Sequence, residues 1–417
     1  MTSMASSTSP LRFDHLVLDN GLTVIGERNP GAHTFAAAYF VATGARDESP
    51  DIAGVSHFLE HMMFKGSERR SADDLNREFD ELGANYNAFT SDERTVYHAA
   101  VLSGRRAGLI DLLSDMMRPA LREEDFAVEK QVILEEIAMY EDKPQYKVFE
   151  EGLKRYYGDH PLGHSVLGTK ASIEGLTLEA LNRYFEARYA ADNLLLTVTG
   201  NYDWDALIEQ VSALSRGWGA SGAGRSYPLL APASGFDTLQ SPKITRAHVA
   251  LFAPGVSVQD PRRYAAAVLA NCLGDATGSR LYWALVDRGL AESATVSHDS
   301  GDRAGAFVGY LTTGPDELPQ TLQILYDELS RLQEDGVEAG EWQRAQRKLA
   351  TGLTLRAETP AGRLMSLGGT YQATGEYEPL PETVNRILKL TADDIFPLLE
   401  ARPFGRAYVL ALEPAAA

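Results

Sequence analysis

Cysteine is nearly absent from this chain of 417 residues, which has one thiol, Cys272. No intrachain disulfide is possible, and a cysteine-ligated structural zinc, which needs several thiolates, is excluded. Cys272 lies in the apolar run 265–273, as a core thiol does. A disulfide-free chain fits a reducing compartment, so a cytoplasmic location is expected. Long hydrophobic runs are missing too. No stretch reaches the ~18 apolar residues of a spanning helix, and no membrane partner is expected. Positive charge is scarce: 39 Lys and Arg face 58 Asp and Glu, a formal net charge of −19. Such a surface repels phosphate backbones and argues against a nucleic-acid partner. It permits steering of basic peptides, although solubility is the simpler explanation. Residues 1–10, rich in Ser and Thr, lack the basic start and apolar centre of a secretory signal. They read as a frayed tail.

The remaining composition, 44% hydrophobic and 23% charged, is that of a globular protein. The length suits two domains of about 200 residues each. Between Gly217 and Pro242, Gly, Ser, Ala and Pro crowd in without a period, which marks a boundary. The expected layout is therefore a first domain over 1–216, a linker over 217–243 and a second domain over 244–417.

The densest chemistry lies in Ser56-His57-Phe58-Leu59-Glu60-His61-Met62. On a helix, His57 and His61, four apart, share one face, and Glu60 borders it. Two neutral imidazoles on one face take two positions of a tetrahedral zinc ion. A neighbouring carboxylate can act as base towards a water held there. This H-x-x-E-H order inverts the zincin motif H-E-x-x-H. Val55, Phe58, Leu59, Met62, Met63 and Phe64 surround the triplet, so the helix reads as buried. Unpaired polar groups are costly in such a place, and metal ligation offsets that; a metal-free hydrogen-bonded cluster does so as well.

A third ligand must come from elsewhere. Residues 123–140 read as a helix, with Phe126, Val128, Val132, Ile133, Ile137 and Tyr140 recurring at a helical period. It carries Glu129, Glu135 and Glu136. Glu129 and Glu136 are seven apart and share a face, while Glu135 points about 100° away from Glu136. Ile133 and Ile137 flank Glu136, which favours it as ligand and leaves Glu129 as a supporting or substrate-side carboxylate.

Gly54 to Gly66 (GVSHFLEHMMFKG) together with Glu129 to Ile137 (EKQVILEEI) resembles the pitrilysin family of inverzincin metallopeptidases. The likeness is greatest to the branch of bacterial and mitochondrial processing peptidases. It implies one Zn2+ per chain held by His57, His61 and Glu136, with Glu60 as general base and Glu129 as a second catalytic carboxylate. It also implies an α+β fold of two similar domains, each a mainly antiparallel sheet backed by helices. In the family, the stretch matching Asn87, Ala88 and Phe89 is an edge strand that binds extended peptide substrates. Main-chain pairing there would hold a peptide in register without demanding particular side chains. From the residues alone, this run reads as an ordinary internal strand.

The second half echoes the first. The run 247–253 resembles the strand 35–43, and 262–273 is a helix where the histidine-bearing one would be, without histidine. Active members of the family carry an arginine and a tyrosine after a Ser-Arg-Leu segment. Here Ser279-Arg280-Leu281 is present, but the next turn is one residue short. That puts Val286 and Glu292 where the pair is expected, unless Arg288 substitutes. The expectation is a zinc-dependent endopeptidase acting as the catalytic subunit of a heterodimer. Its partner would be a homologous subunit that lacks the zinc motif and supplies the pair. The rival readings are a non-catalytic scaffold subunit with a vestigial metal site, and a self-sufficient homodimeric peptidase.

Overall fold

The central strands of two sheets are runs whose small, β-branched or other apolar residues suit burial on both faces. The computed structural model describes residues 11–415, so the tail expected over 1–10 lies outside the described residues. In chain order the strands are β1 (Arg12–Val17), β2 (Thr23–Arg28), β3 (Thr34–Val41), β4 (Asn85–Thr90), β5 (Thr95–Leu102), β6 (Leu194–Gly200), β7 (Gly235–Ser241), β8 (Ala247–Pro254), β9 (Ser293–Gly301), β10 (Ala304–Thr313) and β11 (Tyr408–Pro414). The helices used below are α1 (Val55–Met63), α2 (Ala72–Leu82), α3 (Arg106–Met116), α4 (Glu123–Glu141), α5 (Pro144–Tyr157), α6 (Lys170–Gly175), α7 (Leu178–Arg188), α8 (Trp204–Leu214), α9 (Arg263–Gly274), α10 (Leu318–Asp335), α11 (Ala339–Ala357) and α12 (Pro360–Thr374).

The first sheet runs β1-β2-β6-β3-β5-β4 and the second β7-β11-β8-β10-β9. Pairing is antiparallel except for β2 with β6 and β7 with β11. From β2 and β7 onward the two sheets have the same order, the same parallel pair and the same edge. The fold is thus the expected pair of similar α+β units. At β3, the run Phe35-Ala36-Ala37-Ala38-Tyr39-Phe40 is buried throughout. On one face, Ala36, Ala38 and Phe40 pack with Leu364 and Leu367 of α12. On the other, the Tyr39 hydroxyl meets Ser114 of α3 at 2.8 Å. Ala72–Leu82 starts at a capping box, Ser71 with Asp74.

The units are not contiguous in sequence. The first takes the chain to Glu135, then 165–226 and 356–378; the second takes 136–164, 227–355 and 379 onward. This differs from the layout 1–216, 217–243 and 244–417. Helix α5, from the N-terminal half, packs Val148 and Tyr156 on Ala250, Phe252 and Leu410 of the second sheet. Helix α12, from the C-terminal half, covers the first sheet. A Cβ on Gly152 of α5 would lie 2.4 Å from the Phe252 ring, and one on Gly368 of α12 2.2 Å from the Phe40 ring. Both helices therefore sit almost on the strands. Arg363 of α12 is further clamped to Glu27 of β2 by contacts of 2.7–3.0 Å, and Tyr377 donates to the same carboxylate at 2.8 Å. The expected linker also differs: residues 235–241 form β7. It is an outer strand with little burial, so it lacks the alternation that would have marked it.

Candidate metal centre

Helix α1 is fixed at its first turn by a buried carboxylate. Glu48 accepts the N–H groups of Gly54 (2.6 Å) and Ser56 (2.8 Å), satisfying two donors that a helix leaves without internal partners. Burial pushes the Glu48 carboxyl up, and those hydrogen bonds offset it only in part, so it titrates at about 7. The Tyr184 hydroxyl lies between Ser56 Oγ (3.0 Å) and Thr43 Oγ1 (2.7 Å) and ties the same turn to the strand end. Val55, Phe58, Leu59, Met62 and Met63 are buried, as their clustering predicts, whereas Phe64, just past the helix end, is half-buried.

Phe58 also sets the register of α4. Its ring stacks on Phe126 with centroids 4.8 Å apart, bringing the two helices together. Three residues further along α4, Glu129 reaches His61; a further two turns on stands Glu136. The buried face of α4 is Phe126, Glu129, Ile133 and Ile137. Val128 and Val132, which the apolar period groups with that face, are 59% and 41% exposed. The polar contact at Glu129 rotates the helix away from the purely hydrophobic optimum.

His57, His61 and Glu136 each offer one ligand atom, and these atoms all lie within 4.8 Å of one another. It is the only such acidic, histidine or cysteine group among the described residues. Glu136 is half-buried and Glu135 exposed. The donor set suits zinc: two imidazole nitrogens and a carboxylate oxygen, with a fourth position left over. The His57 ring is buried, and burial, helped by the nearby His61, pulls it down to about 3, so it stays neutral as a ligand must. His61 Nδ1 lies 2.9 Å from Glu129 Oε2, and Lys65 Nζ lies 2.5 Å from Oε1. Burial pushes Glu129 up, but the hydrogen bonds from His61 and Lys65 and their charges more than offset it, leaving it below the usual range. An ionised Glu129 accepts from Nδ1–H and leaves the Nε2 lone pair for a cation, the usual support behind a metal-binding histidine.

Glu60, beside the cluster, accepts the Thr90 hydroxyl at 2.6 Å. Thr90 ends β4, the outer strand of the first sheet. Asn87 and Phe89 are exposed, whereas Ala88 is buried and lies on the same face as Thr90. The Ala88 N–H is covered by the Asn87 side chain at 2.9 Å. Asn87, Ala88 and Phe89 thus lie on an edge and not inside the sheet. The histidines His160 and His164 flank a single 3-10 turn, Pro161–Gly163, and His160 accepts the Leu162 N–H, so they are loop residues. Sequence reasoning missed Glu48, Lys65 and Thr90. Their side chains meet the site only through the fold, and nothing in the local pattern marks Glu48 or Thr90.

Similarity to known proteins extends over most of the chain. Residues 23–170 match the Insulinase (Peptidase family M16) domain, and residues 175–349 the Peptidase M16 inactive domain. The uncharacterized zinc protease YmxG of Bacillus subtilis is 33% identical over 396 residues, covering 94% of this chain and 96% of its own. An uncharacterized zinc protease of Streptomyces coelicolor is 34% identical over 389 residues, covering 91% and 84%. Among solved structures, a protease from Helicobacter pylori superposes with a TM-score of 0.90 at 18% identity, over 97% of this chain and all of that one. Among the described residues, no helix is long and apolar enough to cross a membrane. With relatives matched across nearly their full length and both family domains in sequence, the chain belongs to peptidase family M16, the zinc metallopeptidases to which pitrilysin belongs.

Proposed function

We propose that the chain is a zinc-dependent endopeptidase whose ligands are His57, His61 and Glu136 and whose general base is Glu60. The observation that carries this reading is the grouping of those three ligand atoms within 4.8 Å, next to Glu60 and to the outer strand β4. When bound, zinc supplies a Lewis acid for the scissile carbonyl and brings the pKa of its water towards ~7. Glu60 takes a proton from the attacking water and returns it to the leaving amine nitrogen. Glu129, held by Lys65, keeps His61 in one tautomer. The edge of β4 at Asn87, Ala88 and Phe89 takes an extended peptide by main-chain pairing, with the Asn87 side chain yielding the Ala88 N–H. Substrates are peptides or unfolded segments.

The active unit we propose is a cytoplasmic heterodimer with a homologous subunit that lacks the zinc motif. Val286 and Glu292 stand where the family's arginine and tyrosine are expected, and Glu292 is engaged at the surface with Arg246 at 2.7 Å. The test is cleavage of an internally quenched peptide by the chain alone and with such a subunit, each with and without a chelator. Chelator-sensitive cleavage that rises sharply on adding the partner is the expected result. Efficient cleavage by the chain alone removes the heterodimer, and cleavage that ignores the chelator removes the zinc mechanism.

A further inference from the structure

Thr90 is joined to the base by geometry that leaves its proton one destination. A threonine hydroxyl has a single proton. Its Oγ1 lies 2.6 Å from Glu60 Oε2, the short distance of a hydrogen bond to a carboxylate. Its other hydroxyl neighbour, Thr95 Oγ1, lies at 3.5 Å, too long to compete with a carboxylate at 2.6 Å. The Thr90 proton therefore goes to Glu60. Thr90 is itself held, because β4 pairs with β5 along its whole length and Thr90 lies opposite Thr95.

We propose that Thr90 is a positioning residue for Glu60, its hydroxyl fixing the carboxylate through Oε2 at the angle from which it collects the proton from water. This rests on the peptidase reading above and adds a link to it. The residue that orients the base is the last one of the strand that receives the peptide, two positions beyond Ala88. One rigid strand thus sets the line of the substrate backbone and the angle of the base. Glutamate has three side-chain torsions, and the hydrogen bond from Thr90 restrains them.

Thr90→Val keeps the shape and removes the proton, and Thr90→Ser restores the proton on a smaller side chain. For the zinc-loaded chain with its partner subunit, T90V is expected to lower kcat about tenfold with KM within about twofold and zinc content unchanged. T90S is expected to stay within about threefold of the parent. A T90V protein with parental kcat overturns the proposal, as does a T90S protein as impaired as T90V, which would mean a packing role only. Crystal structures of metal-free parent, T90V and T90S give a readout independent of turnover. The Glu60 carboxylate should leave its position in T90V and keep it in T90S; an unmoved Glu60 in T90V overturns the proposal. If the parent cleaves no peptide, the peptidase reading fails, and the crystal comparison alone still decides whether Thr90 holds Glu60.

Discussion

The two units share a helix arrangement but not its chemistry. Helices α1 and α4 follow β3 and β5 in the first unit; α9 and α11 follow β8 and β10 in the second. Helices α4 and α11 are 19 residues each, and aligned from their first residues they put Trp342 at the place of Phe126. Both of these are buried against their own cores. The same alignment puts Ala345 at the place of Glu129 and Gly352 at that of Glu136. Helix α9 carries no histidine. Between α9 and α11 lies a cleft of about 310 Å³ whose lining includes Asn271, Asp275, Trp283, Glu341, Arg344 and Lys348. Lys348 pairs with Asp275 at 2.8 Å and Glu341 with Arg280 at 2.8 Å, so the acidic groups of this cleft are already matched by cations. The packing that brings two helices together is therefore separable from the few side chains that give one pair its candidate ligands.

The largest expected effect lies in the first unit. Glu60→Gln should retain zinc and lose about a thousandfold in kcat, measured on an internally quenched peptide with metal content by atomic absorption. Next comes metal affinity. Glu129→Gln, which loosens His61 without removing a ligand, should weaken zinc binding about 10–100-fold in a competition titration. Asp275→Asn, in the corresponding cleft of the second unit, should leave zinc content at one per chain. A second zinc lost with Asp275 would break the contrast between the units.

The exchanged helices give a symmetrical test. Gly152→Ala and Gly368→Ala each force a methyl into a phenylalanine ring on the opposite strand. Each should cost about 1–3 kcal/mol in urea unfolding, by overpacking. Unequal effects would show that only one of the helices is held tightly.

The narrowest effect, confined to one pH window, concerns the cap of α1. The Glu48 carboxyl titrates at about 7 in the folded chain, against an ordinary value of 4.5. The folded state therefore holds a proton that the unfolded chain has lost between those values. This stabilising contribution is complete below about pH 4.5 and disappears as the pH rises through 7. In Glu48→Gln, which does not titrate, that slope is removed. Relative to the parent, the variant's unfolding free energy should rise by about 2–3 kcal/mol between pH 5 and pH 8.

Much of the centre was legible because its parts are periodic. His57 and His61 share a face by spacing, and the choice of Glu136 over Glu135 followed from Ile133 and Ile137, which the fold buries. The echo between halves was also legible, since 247–253 and 262–273 became β8 and α9. The exchange of α5 and α12 was not. An amphipathic helix records that one side is apolar and says nothing about which sheet will cover it. The supporting groups were hidden for a similar reason, because Glu48 and Thr90 reach α1 from a loop and from a strand end. On α4, Val128 and Val132 misled because periodicity weighs apolar residues alone, and here a carboxylate took the inner position.

The exchange also bears on how the chain is made. The face of the first sheet formed by Ala36, Ala38 and Phe40 waits for Leu364 and Leu367. On the ribosome, that face is synthesised more than three hundred residues before its cover. For most of translation it stays greasy and open, a natural client for a chaperone, and a fragment truncated before α12 inherits that exposure permanently.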